Sequence, residues 1–276
     1  MERIGFLGAG SMAEALLKGL ISTGSVRPED VIVTNRQNDQ RLKYIKDTYG
    51  VRVTRDYSEL VGESSVLMLL AKPKDIGELM KRIGEELRED QLLLSVAAGI
   101  STSFLERFSS RKIKVVRAMP NTSCQVGESA TAIAAGRYAG EKELDTALRI
   151  FSSVGKVYVV EEKWLDAVTA LSGSGPAYVY LMMEALTEAG VKAGLPAQLS
   201  HELAVQTVFG AAKMVLKTGE EPAALRKKVT SPGGTTMAGL EVLERMGFAD
   251  AVVQAVQRAA RRSAELREEN EAFGNS

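Results

Sequence analysis

The order of apolar and polar positions divides the chain into two parts of different character. In the first 160 residues, short apolar runs rich in Val, Ile and Leu alternate with stretches of helical periodicity. The predicted strands cover residues 4–7, 31–34, 66–70, 92–96 and 115–117, and helices are predicted from Ser11 and near residues 37–49. Strands that alternate with helices indicate a parallel sheet covered on both faces.

After Trp164 the pattern becomes almost entirely helical. Helices are predicted over residues 166–193, 197–217, 222–228, 235–245 and 249–269. Several of them are apolar on more than one face, as in AVQTVFGAAKMVL at residues 204–216, whereas a lone surface helix shows a single apolar stripe. Such helices are buried either inside their own domain or against a second subunit. We expect the second: a homodimer, or a higher oligomer built from dimers.

Composition excludes several classes of protein. Apolar residues make up 45% of the 276 residues, charged residues 25%, and the formal net charge is +0, so no basic excess favours nucleic acid. A single cysteine, Cys124, and a single histidine, His201, exclude an internal disulfide and the usual zinc motifs. The N-terminus lacks the regions of a signal peptide, and small residues interrupt the longest uncharged stretch, 167–183. We therefore expect a cytoplasmic protein that binds no metal, nucleic acid or membrane.

A glycine-rich turn follows the first predicted strand. In RIGFLGAGSMAEALLKGL, residues Gly8, Gly10 and Ala13 form a G-x-G-x-x-A pattern between a strand and a helix. In dinucleotide-binding folds the first glycine allows the turn, the second lets a pyrophosphate approach, and free N–H groups of the helix bind its oxygens. The cofactor contacts predicted here are Gly8, Ala9, Gly10, Ser11 and Met12. The alternative is an ordinary strand-to-helix turn of a flavodoxin-like fold.

The second predicted strand ends in Asn35 and Arg36, where an NAD-specific site usually has Asp or Glu for the ribose hydroxyls. An arginine with no acidic neighbour suits a 2′-phosphate, so the expected cofactor is NADPH, with NADH as a lesser option. The alternative for Arg36 is a solvated side chain at a strand end.

Three later turns also follow predicted strands and are expected to line the cofactor cleft, because ligands bind at the carboxyl ends of parallel strands. The candidates are Leu70, Ala71, Lys72 and Pro73 in the first turn, Ala97, Ala98 and Gly99 in the second, and Asn121 in the third. Lys72 is interpreted as a catalytic base, a phosphate ligand or a solvated lysine. Asn121 either binds the nicotinamide carboxamide or caps the next segment.

Seven segments together resemble the pyrroline-5-carboxylate reductase family in matching order across essentially the whole chain. They are GFLGAGSMAEALLKGL, AKP, SVAAGI, VVRAMPNTS, LSGSGPAYVYLMMEAL, GAAKMVL and VTSPGGTTMAGLEVLE, the last being the family signature. Ser123 departs from the family pattern, which usually has proline there. The resemblance implies an α/β protein: a Rossmann-like dinucleotide-binding domain at 1–162, an all-α substrate-binding and dimerisation domain at 163–276, and NAD(P)H-dependent reduction of L-1-pyrroline-5-carboxylate to L-proline.

A second glycine turn, at residues 231–236, then acquires a chemical role. Glycines that open a helix expose N–H groups and the positive end of the helix dipole, which suit the substrate carboxylate. The substrate contacts expected are Ser231, Gly233, Gly234, Thr235 and, from the small-residue segment 171–178, Ser174. Thr236 is expected to be catalytic, as the hydrogen-bond partner of the imine nitrogen. The alternatives are N-capping for the turn and close packing for the segment around Ser174.

Two other functions remain open at this point. A β-hydroxyacid dehydrogenase shares the order of domains, but needs a lysine on the helix after Gly173 and Gly175, and none follows before Lys192. A non-catalytic NADPH sensor accounts for the first glycine turn but leaves the second unexplained.

Overall fold

The computed structural model describes residues 2–273, and the chain forms two compact units. The first takes the chain up to Ser174 together with the last helix from Arg258 onward, and the second is Gly175–Gln257. These units differ from the domains expected at 1–162 and 163–276, because residues 163–174 and 258–273 pack with the first unit. Asp166 illustrates this packing within the first unit, since it accepts hydrogen bonds from Ser263 Oγ at 2.7 Å and Arg267 Nε at 3.1 Å.

The first unit is built on an eight-stranded sheet. The strands are β1 (Ile4–Leu7), β2 (Val31–Thr34), β3 (Arg52–Val53), β4 (Val66–Leu69), β5 (Leu92–Ser95), β6 (Lys114–Met119), β7 (Ser129–Ala135) and β8 (Gly155–Val159). Their order is β3-β2-β1-β4-β5-β6-β7-β8. The strands β1 to β6 are parallel, in the order of a Rossmann fold.

The expectation of a purely parallel sheet is wrong at one edge. Strand β7 pairs antiparallel with β6, and β8 then pairs parallel with β7. The strands β3, β7 and β8 were also absent from the predicted elements, whereas β1 and β2 have the predicted bounds.

Helices cover both faces of this sheet, as predicted. They are α1 (Ser11–Ser22), α2 (Asp39–Tyr49), α3 (Tyr57–Glu63), α4 (Pro73–Ile83), α5 (Thr102–Glu106), α6 (Glu141–Ser152) and α7 (Leu165–Val168), which leads into a π-helical turn at Thr169–Gly173. Adjacent strand residues face different cores: Phe6 belongs to one core with Leu16 and Ile150, whereas Leu7 belongs to the other with Ile76 and Phe104. Burial on both sides explains why the central strands are continuous apolar runs.

The second unit is entirely helical. It contains α8 (Gly175–Lys192), α9 (Ala197–Thr218), α10 (Pro222–Lys228), α11 (Thr235–Arg245) and the first part of α12 (Phe248–Phe273). The helices α8 and α9 approach closely at Gly190, where a Cβ would lie 2.1 Å from Ser200 Oγ, and that hydroxyl donates to the Thr187 carbonyl at 2.7 Å. None of the helices in residues 2–273 combines the length and hydropathy that crossing a lipid bilayer requires.

Candidate functional site

The first glycine turn is fixed between the carboxyl ends of β2 and β4. Gly8 has a φ of 136°, and a Cβ on it would lie 2.8 Å from the carbonyl carbon and oxygen of Leu70. The Gly8 N–H donates to the Thr34 carbonyl at 3.0 Å. A side chain at position 8 would therefore be strained and would also overlap the backbone of the neighbouring turn.

Gly10 has a different reason to be glycine. It is the N-cap residue of α1 with φ −76°, and no side chain caps this helix. A Cβ on Gly10 would meet nothing within 4 Å, so the space in front of the turn is open. The first N–H groups of a helix have no intrahelical partner, and here they belong to Ser11, Met12 and Ala13. The turn thus offers donors and the positive end of the α1 dipole to an anion.

An open cleft of about 480 Å³ lies at this edge of the sheet. Sixteen of the described residues line the cleft, and eight of them were predicted from the sequence to contact the cofactor. The predicted ones are Gly8, Ala9, Gly10, Asn35, Arg36, Leu70, Ala71 and Lys72. The others are Leu7, Gln37, Tyr57, Lys74, Asp75, Glu78, Leu79 and Arg82. Four cationic side chains and two anionic ones among these give the cleft a positive excess, which suits a phosphate-bearing ligand.

The other residues predicted at the cofactor do not line this cleft. They are Ser11, Met12, Pro73, Ala97, Ala98, Gly99 and Asn121. Pro73 opens α4 as its first residue, after Lys72 at the N-cap. Gly99, with φ 69°, lies beneath the last helix of the first unit, where Asn270 Nδ2 donates to its carbonyl at 3.1 Å.

Arg36 has an acidic neighbour, contrary to the expectation from its position at the end of β2. Its Nη1 lies 3.0 Å from Oδ1 of Asp75, a residue of the first turn of α4. The side chains of Arg36 and Asp75 are 62% and 28% exposed. The sequence did not show this pair because 39 residues separate its members.

Asn35 shapes the turn that follows β2. Its Oδ1 accepts from the Asn38 N–H at 2.9 Å, and its Nδ2 donates to the Asn38 carbonyl at 2.9 Å. Arg55 Nη1 also donates to Asn35 Oδ1, at 2.8 Å. The Asn35 amide therefore holds the loop that presents Arg36.

Arg41 is a positioning residue that the sequence did not reveal. From α2 its Nε donates to the Ala9 carbonyl at 2.7 Å, and its Nη2 lies 2.5 Å from Glu14 Oε2. The Arg41 hydrogen bond lowers the pKa of the Glu14 carboxyl, which also accepts the hydroxyls of Tyr44 and Tyr49. Burial, with the hydrogen bond to Glu14, raises the pKa of Tyr49 to about 12. Arg41 thus ties the first glycine turn to α2 and α1.

Asn121 caps the segment that follows β6. Its Oδ1 accepts from the Ser123 N–H at 3.1 Å at the start of the 3₁₀ helix Thr122–Val126, and its Nδ2 donates to the Ser172 carbonyl at 3.0 Å. Of its two interpretations, the structure shows capping, and the nicotinamide contact stays a prediction.

Cys124 lies in the same 3₁₀ helix and is 4% exposed. Its Sγ donates to Met12 Sδ at 3.6 Å, and burial raises the pKa of the thiol, which disfavours a thiolate nucleophile. Among residues 2–273, no group of three or more His, Cys, Asp and Glu is placed to hold a metal ion.

Arg117, in β6, is a buried cation that the sequence analysis did not single out. Its side chain is 1% exposed, and Nη1 lies 3.6 Å from Glu162 Oε1. Its Nε and Nη2 find no hydrogen-bond partner in the described part of the chain, and burial lowers its pKa. Glu162 also accepts the Thr102 N–H at 2.8 Å and its hydroxyl at 2.6 Å. This network fixes the start of α5 against β6.

The second glycine turn lies in the second unit and opens α11. The Gly234 N–H donates to the Ser231 carbonyl at 3.0 Å, and Gly233 has φ 68°. Gly234 is the N-cap residue, and no side chain caps the helix. Thr235 and Thr236 follow as its first two residues, and both are exposed. The turn therefore places a glycine at the N-cap, as in the alternative of simple N-capping with a glycine turn, and its substrate contacts stay predictions.

Ser174, the remaining residue predicted at the substrate, ends the first unit. Its N–H donates to the Thr169 carbonyl at 2.8 Å, which closes the π-helical turn that follows α7.

Comparison with known proteins gives two family matches. A family model described as pyrroline-5-carboxylate reductase dimerisation matches residues 162–266, and one described as NADP oxidoreductase, coenzyme F420-dependent, matches residues 3–99. The chain is 42% identical to pyrroline-5-carboxylate reductase 2 of Bacillus subtilis over 269 residues, which cover 98% of this chain and 96% of the relative.

Solved structures give the same result. The pyrroline-5-carboxylate reductase of Coxiella burnetii aligns with a TM-score of 0.90 at 37% identity, covering 96% of this chain and 98% of that chain. The Plasmodium falciparum pyrroline carboxylate reductase, solved with NADP bound, aligns with a TM-score of 0.85 at 31% identity, covering 96% of this chain and 98% of that chain. The predicted fold class, an α/β protein with a Rossmann-like domain before an all-α dimerisation domain, is confirmed. The fold is that of an NAD(P)-binding oxidoreductase.

We predict that Gly10→Ala weakens binding of a reduced nicotinamide dinucleotide by about tenfold, because the methyl group enters the open space in front of the turn. The free energy of unfolding should change by less than about 1 kcal/mol, since this Cβ meets no protein atom. Fluorescence titration and denaturant unfolding measure the two quantities. The matched control is Gly62→Ala, at an exposed position in α3 where a Cβ also meets nothing within 4 Å. Equal dinucleotide affinity in both variants would contradict the assignment of Gly10.

Proposed function

Because the chain belongs to the pyrroline-5-carboxylate reductase family, we propose that it reduces L-1-pyrroline-5-carboxylate to L-proline, the last step of proline biosynthesis. The observation that carries this proposal is the near-complete coverage of the relatives at 42% identity. Two local features support it: the open cradle at Gly10 and the glycine-opened helix at Thr235. When bound, the nicotinamide cofactor supplies the hydride that adds to the C=N carbon.

The proposed cofactor residues fall into two groups by role. Backbone N–H groups at Ala9, Gly10, Ser11 and Met12 would hold the pyrophosphate at the start of α1, and Gly8, whose own N–H donates to the Thr34 carbonyl, would let the turn approach it. Arg36 would bind a 2′-phosphate, with Asn35 fixing its loop through the hydrogen bonds to Asn38. We infer NADPH as the preferred cofactor and NADH as a possible substitute. The contacts predicted for residues 70–73, residues 97–99 and Asn121 remain predictions.

We assign substrate recognition to the turn that opens α11. The backbone N–H groups of Gly233 and Thr235, with Ser231, would bind the carboxylate at the turn that Gly234 closes, because the uncapped start of an 11-residue helix attracts an anion. Ser174 stays a predicted contact.

Thr236 is the proposed catalytic residue. Hydride addition to the C=N carbon places an electron pair on the ring nitrogen, which must carry or receive a proton. A hydroxyl at the second position of α11 is held by the helix backbone, and Thr236 Oγ1 can hydrogen-bond the nitrogen as its charge changes. The buried thiol of Cys124 is unsuited to this task.

The reaction class is tested by following loss of NADPH absorbance with pyrroline-5-carboxylate, and formation of NADPH from NADP⁺ with a panel of 3-hydroxy acids. We expect turnover with the imine alone. Reduction of NADP⁺ by a 3-hydroxy acid would indicate a β-hydroxyacid dehydrogenase. Binding of NADPH without any oxidation by the imine would indicate a non-catalytic sensor.

We predict that Thr236→Ala lowers kcat by 10²–10³, the usual cost of about 2.7–4 kcal/mol for one donor that acts in the transition state. KM should rise less than kcat falls, and NADPH should bind as in the parent. Thr236→Ser should keep most of the activity because it retains the hydroxyl. If Thr236→Ala stays within a few-fold of the parent, the proton on the ring nitrogen comes from water or another group.

Self-association is the second part of the proposal. Large apolar side chains are exposed along the helices of the second unit, among them Leu203, Phe209, Met214 and Leu216 in α9. No residue of α8, all of which the structure describes, is buried. Exposed apolar surface on this scale is typical of an interface rather than of a monomer. We infer a homodimer formed through these helices, and a higher oligomer of dimers stays a prediction, as does the cytoplasmic location.

We predict that sedimentation gives a mass of twice 29.7 kDa or a multiple of that dimer. Phe209→Glu should dissociate the dimer, because it places a charge within the apolar surface of α9. Val126→Glu is the matched control, since Val126 is 76% exposed in the first unit and should leave the mass unchanged. A stable, active monomer of 29.7 kDa in the parent protein would contradict the proposal.

A further inference from the structure

One ion pair crosses the cleft where the proposed 2′-phosphate site lies. Arg36 extends from the loop after β2, and Asp75 projects from the first turn of α4, with 3.0 Å between Nη1 and Oδ1. The Asp75 N–H donates to the Lys72 carbonyl at 2.9 Å, which anchors its backbone at the start of α4. Both side chains line the cleft.

The pair gives Arg36 an anionic partner before any cofactor binds. A 2′-phosphate that approaches the guanidinium has to displace the Asp75 carboxylate or to bind beside a like charge. A cofactor without that phosphate leaves the pair intact. The carboxylate therefore opposes the phosphorylated cofactor selectively.

Exposure makes this exchange feasible. The Arg36 side chain is 62% exposed, and ion pairs in contact with water contribute little net stability. A phosphate, with more charge and more acceptor oxygens than a carboxylate, can replace Asp75 as the partner of Arg36. The ion pair thus acts as a weak competitor rather than as a permanent block.

We propose that Asp75 determines cofactor specificity, by competing with the 2′-phosphate for Arg36 and so moderating the preference for NADPH over NADH. The inference rests on the cofactor site of the proposed function. An NAD-specific site carries an acidic residue at the end of β2. Here Asp75 provides an acidic group from α4 instead, and it contacts Arg36, the proposed ligand of the NADP 2′-phosphate.

The charge on Asp75 can be separated from the general charge of the cleft. Glu78 lies one turn further along α4 and lines the same cleft, but Arg36 is ion-paired with Asp75 and not with Glu78. Asp75→Asn and Glu78→Gln each remove one negative charge while keeping the shape of the side chain. Only the first should release Arg36.

The test measures Kd for NADPH and for NADH by nicotinamide fluorescence, with no imine present. Asp75→Asn should lower Kd for NADPH by about fivefold and leave Kd for NADH within about twofold. Glu78→Gln should change the ratio of the two constants by less than about twofold. The ratio of Kd for NADH to Kd for NADPH should therefore rise in Asp75→Asn. An unchanged ratio would overturn the inference, as would a rise that comes only from weaker binding of NADH.

A second pair of variants tests whether Asp75 acts through Arg36. In an Arg36→Gln background, Asp75→Asn should change the Kd ratio by less than about twofold, since the competed cation is gone. An undiminished effect would mean that Asp75 repels the phosphate directly, which contradicts the competition. Binding is measured without substrate, so this test is independent of the proposed reaction. A protein that binds both dinucleotides but does not reduce the imine would refute the reaction, and the ratio of the two Kd values would still decide the role of Asp75.

Discussion

The arrangement of the first unit depends on one close backbone approach, between Gly8 and the carbonyl of Leu70. A Cβ at residue 8 would lie 2.8 Å from that carbonyl, and the φ of 136° excludes most side chains independently. The approach lets β1 pass directly into α1 beside the ends of β2 and β4. The N-terminus of α1 consequently opens onto the same edge of the sheet as the loops that carry Arg36 and Lys72. Arg36 and Lys72 therefore line the same cleft as this turn.

Much of the first unit could be predicted from the sequence because its central strands are buried on both faces. Continuous apolar runs identify β1 and β2 with correct bounds, and the glycine pattern identifies the turn after β1. The last strands lack that signal. Strand β7 reads SATAIAA, with alanines in place of most β-branched residues, and β8 reads GKVYV with no buried position. Composition alone cannot reveal that β7 runs antiparallel, because direction is set by pairing with β6.

The candidate site was predictable only where its residues follow a strand in sequence. Gly8, Gly10 and Arg36 do so, and all three line the cleft. Arg41 and Asp75 act through contacts with residues 32 and 39 positions away, which no local pattern encodes. The expectation that Arg36 lacks an acidic neighbour was wrong for this reason. In the second unit, the bounds of α10 and α11 were predicted correctly, because Pro222 and the glycines before Thr235 mark where each helix begins.

Two arginine pairs in the first unit show how burial decides what an ion pair can do. Arg117 is 1% exposed and faces Glu162, and its Nε and Nη2 have no partner among residues 2–273, so removing Glu162 would leave the guanidinium charge uncompensated in a medium of low dielectric constant. Glu162 also accepts two hydrogen bonds from Thr102, so this pair serves to fix β6 against the start of α5. Arg36 and Asp75 form a shorter contact, 3.0 Å against 3.6 Å, but the Arg36 side chain lies largely in water, where the carboxylate can leave at little cost. Arg36 can therefore exchange its carboxylate partner for a ligand phosphate, whereas the buried Arg117 keeps Glu162.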